Sequence, residues 1–349
     1  MQWLRTRAVG WSLFGPTTLP RALERLGFIQ ADPIRAPARA QDLILRHRVK
    51  GYRVDDLERR YPTMELEEDV LYAYGFVPRE VGRSIRTPDP KDLSKLESEV
   101  LAAVRERGET HPRQLDEQFG AKRVTNAWGG FSKATKRALE ALHRRGLLRV
   151  ARRDKGIRVY APVPDVDDPA PSVSRFRDLA MIAANIFAPA ARTRLAAALA
   201  PLRRRLSIEA RTARSVVDDL IETGQLAAAT VDGVCFVWPA GKTAPRPKEP
   251  SVRFLAPFDP LIWDRLRFEQ FWGWSYKFEA YTPKAKRVRG YYAMPVLWGE
   301  DIIGWANASA ADGELDVDLG FVSKRPRSRL FSAGLDAEIE RMRRFLRAR

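Results

Sequence analysis

A single cysteine, Cys235, stands among 349 residues, so the chain can form no internal disulfide and no cysteine-based zinc site. A reducing compartment, the cytoplasm, is the expectation. Histidine is almost as scarce. His47, His111 and His143 are the whole supply, and no two have the i, i+4 spacing of a helical zinc motif, so neither a metal nor another cofactor is expected. No apolar run approaches the roughly 18 residues that span a bilayer, so no membrane crossing is expected. The opening stretch MQWLRTRAVGWSLFG lacks the apolar core and cleavage site of a secretory leader. The alanine-rich run at 195–199 is short and sits beside Arg203, Arg204 and Arg205. There is no GxSxG, no P-loop, no GxGxxG after a strand and no Cys–His pair at a useful spacing. These absences argue against hydrolases, kinases and dehydrogenases of the common kinds.

Positive charge is what the chain has in excess. Lys and Arg number 61 against 44 Asp and Glu, a net +17. The sequence isoelectric point is near 10.3. A polyanionic partner follows, with nucleic acid ahead of an anionic membrane surface. With 45% hydrophobic and 30% charged residues the composition is that of a folded chain rather than a disordered one. Proline- and aspartate-rich breaks at 87–92 (TPDPKD), 162–172 (PVPDVDDPAPS) and 241–250 (GKTAPRPKEP) divide it into segments 1–86, 92–163, 172–240 and 251–349.

The first three segments follow one plan, helices and then a short two-stranded ribbon, which reads as repeated winged helices. The second segment shows it best. Ser132 is placed to cap a helix running to His143, with Gly146 as its stop signal. Thr135, Ala138, Leu139 and Leu142 fall on one face, leaving Lys133, Lys136, Arg137, Glu140 and Arg144 outside. The stretch 147–163, LLRVARRDKGIRVYAPV, then alternates apolar and polar residues on both sides of Asp154-Lys155-Gly156, as a hairpin does. A basic helix followed by a basic hairpin is what a winged helix offers DNA, which nominates Lys133, Lys136, Arg137, Arg152, Arg153, Lys155 and Arg158 as phosphate contacts. Trp128 and Phe131 are expected to pack the turn before the helix. The third segment repeats the plan with a nearly uncharged ribbon turning at Asp232-Gly233. In the first, helices at about 4–13 and 18–26 lead into FIQADPI and a helix at 36–46.

Within FIQADPI, Gln30 and Asp32 are two apart, so in extended backbone both side chains leave one face. An amide beside a carboxylate can hold and orient a water, and Phe28, Ile29 and Ile34 supply an apolar surround. The same Asp-Pro dipeptide also reads as a helix cap followed by proline at the first helical position. Farther on, Lys284, Lys286, Arg287 and Arg289 interrupt a sequence that alternates like a hairpin, placing a second group of phosphate contacts. In FDPLIWDR, Asp259 and Asp264 are acidic where DNA would want positive charge. They are expected to be buried polar partners at a domain junction. The aromatic group Phe268, Phe271, Trp272, Trp274, Tyr276 and Phe278 reads as core or interface.

Four collinear stretches resemble the interstrand-crosslink-repair DNA glycosylases of the YcaQ/AlkZ type. They are LGFIQADPIRAPARAQDLIL (26–45), the segment 126–163 from NAWGGFSK to VYAPV, FLAPFDPLIWDR (254–265) and YTPKAKRVRGYYAMPVLWGEDIIG (281–304). The resemblance implies an α+β fold of three tandem winged helices with a C-terminal β-containing domain, forming a concave basic surface around duplex DNA. It also implies a monofunctional glycosylase that hydrolyses the N-glycosidic bond of alkylated purines, including crosslinked N7-guanines. A lesion enzyme can work as a monomer, where a regulator usually needs a dimer to read paired half-sites, so a monomer is expected. The family's Gln-x-Asp form of the catalytic pair falls on Gln30 and Asp32. The chain departs from the family pattern between Met64 and Pro78, where Tyr72, Ala73 and Tyr74 replace an expected Trp- and His-bearing segment. The rival from another class is a non-catalytic winged-helix regulator in which Asp32 merely caps a helix.

Overall fold

A computed structural model of the chain describes residues 1–125, 131–164, 170–243, 250–311 and 314–346. One order of elements recurs three times: helix, one short strand, two helices, then a hairpin whose last strand pairs antiparallel with the first short strand. In the first copy the helices Leu19–Leu26, Ala40–Leu45 and Asp56–Arg60 accompany the strands Ile29–Gln30, Leu66–Val70 and Tyr74–Pro78. The second has helices Lys95–Arg107, Pro112–Phe119 and Ala134–Arg144 and the hairpin Leu148–Asp154 with Ile157–Pro162. Its first strand shrinks to Thr110, which exchanges both backbone hydrogen bonds with Tyr160 at 2.7 and 3.0 Å. The third has helices Ser172–Ile186, Arg192–Arg205 and Ala210–Glu222, with Ala190–Ala191 pairing against Val234–Pro239 of the final hairpin. Segment four is an antiparallel sheet of Val252–Phe254, Met294–Trp298, Asp301–Ala311 and Glu314–Phe321 in that order. The helix Arg329–Leu346 packs on it.

Local chemistry explains the boundaries. Ser94 and Glu97 form a reciprocal capping box at the start of Lys95–Arg107, worth about 1 kcal/mol for the cap alone. The two later hairpins turn on Lys155-Gly156 and Asp232-Gly233, all four residues with positive φ, as the tight hairpin turn whose twist matches the strands requires. On Ala134–Arg144 the expected face is buried: Thr135, Ala138, Leu139 and Leu142. The cap differs from expectation. Lys133 occupies it, while Ser132 lies in the short strand Phe131–Lys133, which pairs with Arg123–Thr125 and draws the backbone out of helical range one residue later. Phe131 is 73% exposed and packs no turn, and Trp128 lies outside the described residues.

Long-range pairs tie the segments together. The first helix, Gln2–Ser12, leaves its own segment and sends Leu4, Ala8 and Val9 into one core with Leu261, Phe268, Phe271 and Phe236. Arg48 and Asp259, both wholly buried, form a two-pronged ion pair at 2.8 and 2.9 Å. Asp264 caps Arg265–Trp272 and takes Arg194 from the third segment at 2.9 Å. Both acids of FDPLIWDR are thus the junction residues that their sequence suggested.

Candidate active site and DNA interface

Gly27 ends the helix Leu19–Leu26 in left-handed backbone (φ 70) and turns the chain directly into Phe28 and Ile29, both buried. The strand Ile29–Gln30 can approach Tyr74–Pro78 closely because residue 75 is glycine. A Cβ there would lie 2.2 Å from the Ile29 carbonyl oxygen. Ala31 adds one more bond to the Tyr74 carbonyl at 3.0 Å, so Gln30 and Asp32 flank the last paired residue.

Beyond that point the chain is irregular until Ala40 begins the next helix with Arg39 at its cap, four residues later than the sequence suggests. Asp32 therefore caps no helix. Its Oδ1 accepts the Ile34 N–H at 2.9 Å in a local turn, and it enters no ion pair among the described residues. Burial pushes its carboxyl above the ordinary carboxylate range, and the Ile34 donor only partly offsets this. The Gln30 Oε1 beside it is buried and accepts nothing. The end of one strand thus carries a half-buried carboxylate and, two residues before it, an amide oxygen buried without a partner.

The loop carrying Asp32 abuts the second segment. Arg39 pairs with Glu58 and reaches the turn at Gly156, where a Cβ would lie 2.7 Å from its guanidinium. Next to Asp32, Pro33 lines a groove of about 500 Å³ with His111, Lys133, Lys136, Arg158 and Tyr160. Of the nominated cations, Lys136, Arg137 and Lys155 are exposed. Lys133 is exposed as well, with its Nζ 2.6 Å from Asp116. Arg152 meets Glu109 at 2.9 Å. Arg153 is drawn inward: its guanidinium forks onto Glu68, and Arg158 lies 3.6 Å from the same carboxylate and 4.2 Å over the Tyr74 ring. Glu68 thus pairs with Arg153, a part-buried guanidinium that also lines the groove.

The basic stretch 284–289 is no hairpin. Lys284–Lys286 is a single 3-10 turn in a loop, because the buried Glu279 carboxylate accepts the backbone N–H groups of Val288, Arg289 and Gly290 at 2.9, 2.8 and 3.3 Å and occupies donors that a strand partner would need. Burial alone would raise the Glu279 carboxyl; these three donors, with the charge of Arg289, hold it below its usual range. Lys284 and Lys286 stand exposed on this loop. Arg287 lies over Tyr291, and Arg289 over Trp274 and Trp305.

The histidines are structural. His47 binds the Phe254 carbonyl, His143 the Glu68 carbonyl, and His111 caps Pro112–Phe119. Burial keeps His47 and His143 below the usual histidine value. Among the described residues no cluster of His, Cys, Asp or Glu could hold a metal, and no helix is long and apolar enough to cross a membrane. Sequence patterning gave no hint of Glu68 or Glu279 as organising groups. Their partners lie far away in the chain or on backbone that carries no side-chain signature.

Fold and site together define an α+β protein with exposed cations and a carboxylate–amide pair at the edge of a groove, equipped to act on a polyanion. The chain belongs to the AlkZ-like DNA glycosylase family, whose model, DNA glycosylase AlkZ-like, matches residues 23–345. It is therefore a hydrolase of N-glycosidic bonds in DNA, with a place in DNA repair. Among solved structures, none gives a significant match.

Proposed function

We infer that the enzyme releases N-alkylated purines, N7-alkylguanine adducts and interstrand crosslinks among them, by monofunctional hydrolysis. The observation that carries this reading is the pairing of a half-buried Asp32, free of any cap or ion pair among the described residues, with the unpaired Gln30 oxygen. An N7-alkylguanine is cationic and leaves readily, so the enzyme has little need of a general acid. The site must stabilise an oxocarbenium-like sugar and position a water. Asp32 supplies the negative charge and steers or deprotonates the water, while Gln30 holds it. A bulky or crosslinked base cannot enter a closed pocket, and the open groove beside Pro33 suits it.

The three recurring units are read as winged helices within 1–86, 92–163 and 172–240, and 251–349 as a C-terminal domain carrying the basic loop. Lys136, Arg137, Lys155, Lys284 and Lys286 supply the exposed charge for duplex DNA, and the enzyme works as a monomer at the nucleoid in the cytoplasm. The test is the product formed on a duplex carrying one N7-methylguanine. An abasic site that breaks only on adding alkali is expected. A protein–DNA adduct trapped by borohydride would replace hydrolysis with an amine-based mechanism.

A further inference from the structure

Phe131 opens the short strand that precedes the basic helix, and its ring stands in solvent. Among the large apolar side chains of the described residues only Tyr281 and Val288, on the basic loop of Lys284 and Lys286, are more exposed. The ribbon of Arg123–Thr125 and Phe131–Lys133 has two unlike faces. Val124 and Ser132 are half-buried, while Arg123, Thr125, Phe131 and Lys133 are exposed, with Arg123 opposite Lys133 and Thr125 opposite Phe131. The Thr125 carbonyl accepts from the guanidinium of the exposed Arg137 at 2.8 Å. The ring therefore stands among the cations Arg123, Lys133 and Arg137, where it adds nothing to the core.

The backbone that carries the ring is fastened to the helix. Ala134 donates its N–H to the Lys122 carbonyl at 2.9 Å, Lys133 Nζ donates to Asp116 at 2.6 Å, and the Thr135 hydroxyl donates to the same carboxylate. The helix is in turn anchored by the buried Ala138, Leu139 and Leu142. A ring on so fixed a ribbon costs little ordering when it meets a partner. Lys133 also lines the groove that Pro33 borders next to Asp32. Phe131 lies two strand residues before it on the same exposed face, about 7 Å away along the backbone. Cations on both strands attract a phosphate backbone to this face, and a ring between them reaches the bases behind it.

We propose that Phe131 is a wedge, its ring entering the base stack of the duplex beside the lesion and partly unstacking one step; the inference rests on the alkylated-purine reading above. A base crosslinked to the opposite strand cannot be turned out of the helix, so its sugar has to be reached by opening the stack instead. Apolar wedges do this by kinking the duplex at the step they enter. Stacking on an aromatic ring is available from every base, so the wedge works without reading sequence.

The test uses duplexes that carry one 2′-fluoro N7-methylguanine nucleotide, whose glycosidic bond resists hydrolysis, and 2-aminopurine at one flanking position at a time. Binding of the wild type should brighten 2-aminopurine at one step, and Phe131→Ala should abolish the rise. The variant should bind on the order of tenfold or more weakly. Its slope of log K against log salt should be unchanged, because no phosphate contact is lost. Its melting temperature should be unchanged too, because the ring is already in solvent. Phe131→Trp, which keeps a flat aromatic face, should restore affinity and emission. Unchanged affinity in Phe131→Ala, no brightening by the wild type at any position, or an equal loss in Phe131→Trp overturns the proposal. A wild-type dimer that Phe131→Ala converts to monomers with DNA binding intact also overturns it and gives the ring to a second copy. Binding and emission are read without base release. Their loss in Phe131→Ala, beside a wild type that releases no base from the unfluorinated lesion, would uphold the wedge and overturn the substrate assignment instead.

Discussion

Arg153 of the second segment's hairpin closes a fork onto Glu68 of the first, Nε to Oε1 at 2.8 Å and Nη2 to Oε2 at 2.7 Å, with the carboxylate wholly buried. Tyr74 donates to the same carboxylate at 2.8 Å. On either side of Glu68, Glu67 meets Arg86 and Asp69 meets Arg205 of the third segment at 2.5 Å. Three consecutive acids of one strand thus fasten three parts of the chain around the strand that pairs next to Gln30.

Removing one member of such a pair leaves a buried charge without compensation. Glu68→Ala is expected to destabilise by about 3–5 kcal/mol, read as a lower urea midpoint at unchanged slope. Asp259→Ala, which strands Arg48, should cost a similar amount. A change under about 1 kcal/mol in both, the range of exposed pairs, would contradict the strut assignment.

The division of cations into part-buried struts and exposed side chains predicts their salt behaviour. Each exposed lysine that meets a phosphate contributes about 0.9 to the slope of log K against log salt. Lys136→Gln, Lys155→Gln and the pair Lys284→Gln/Lys286→Gln should each flatten that slope. Arg153→Gln should leave it unchanged while lowering stability. A flatter slope for Arg153→Gln would return that residue to the DNA-contacting set.

Asp32 carries a stability cost that its removal should reveal. Its folded pKa is raised, so the native state holds the proton more tightly than the unfolded chain does. The penalty is absent below the ordinary carboxylate range, grows as pH rises through the interval to the raised value, and is complete at neutral pH. Asp32→Asn should therefore melt at the same or a higher temperature at pH 7, and its advantage should vanish at acid pH. A clear drop in melting temperature at pH 7 would mark Asp32 as structural.

The same raised carboxyl sets the acid limb of the rate profile. Single-turnover release should fall as pH drops, with a midpoint above the ordinary aspartate value of about 3.9. An acid limb at or below that value would show that a different group controls the reaction.

What could be read from the sequence was local. Glycine turns at 156 and 233 and the amphipathic face of Ala134–Arg144 each depend on a few neighbouring residues, and each appears in the structure. Glu67, Glu68 and Asp69 have no apolar–polar alternation, so they resemble a solvated strand; their burial depends on arginines that the fold brings in from Arg86 to Arg205. The loop at 284–289 alternates like a strand, yet Glu279 takes the backbone donors that pairing would require. Whether Asp32 caps a helix depended on where the next helix begins, and the chain stays irregular through Arg39.

The most direct measurement is single-turnover base release from a duplex carrying one N7-methylguanine, with wild type and Asp32→Asn side by side and DNA affinity recorded for both. The account predicts release by the wild type, a rate reduced by about 100-fold or more in the variant, and equal affinity. Equal rates for the two proteins would contradict the role given to Asp32, and no release by the wild type from this duplex or from a crosslinked one would contradict the substrate assignment.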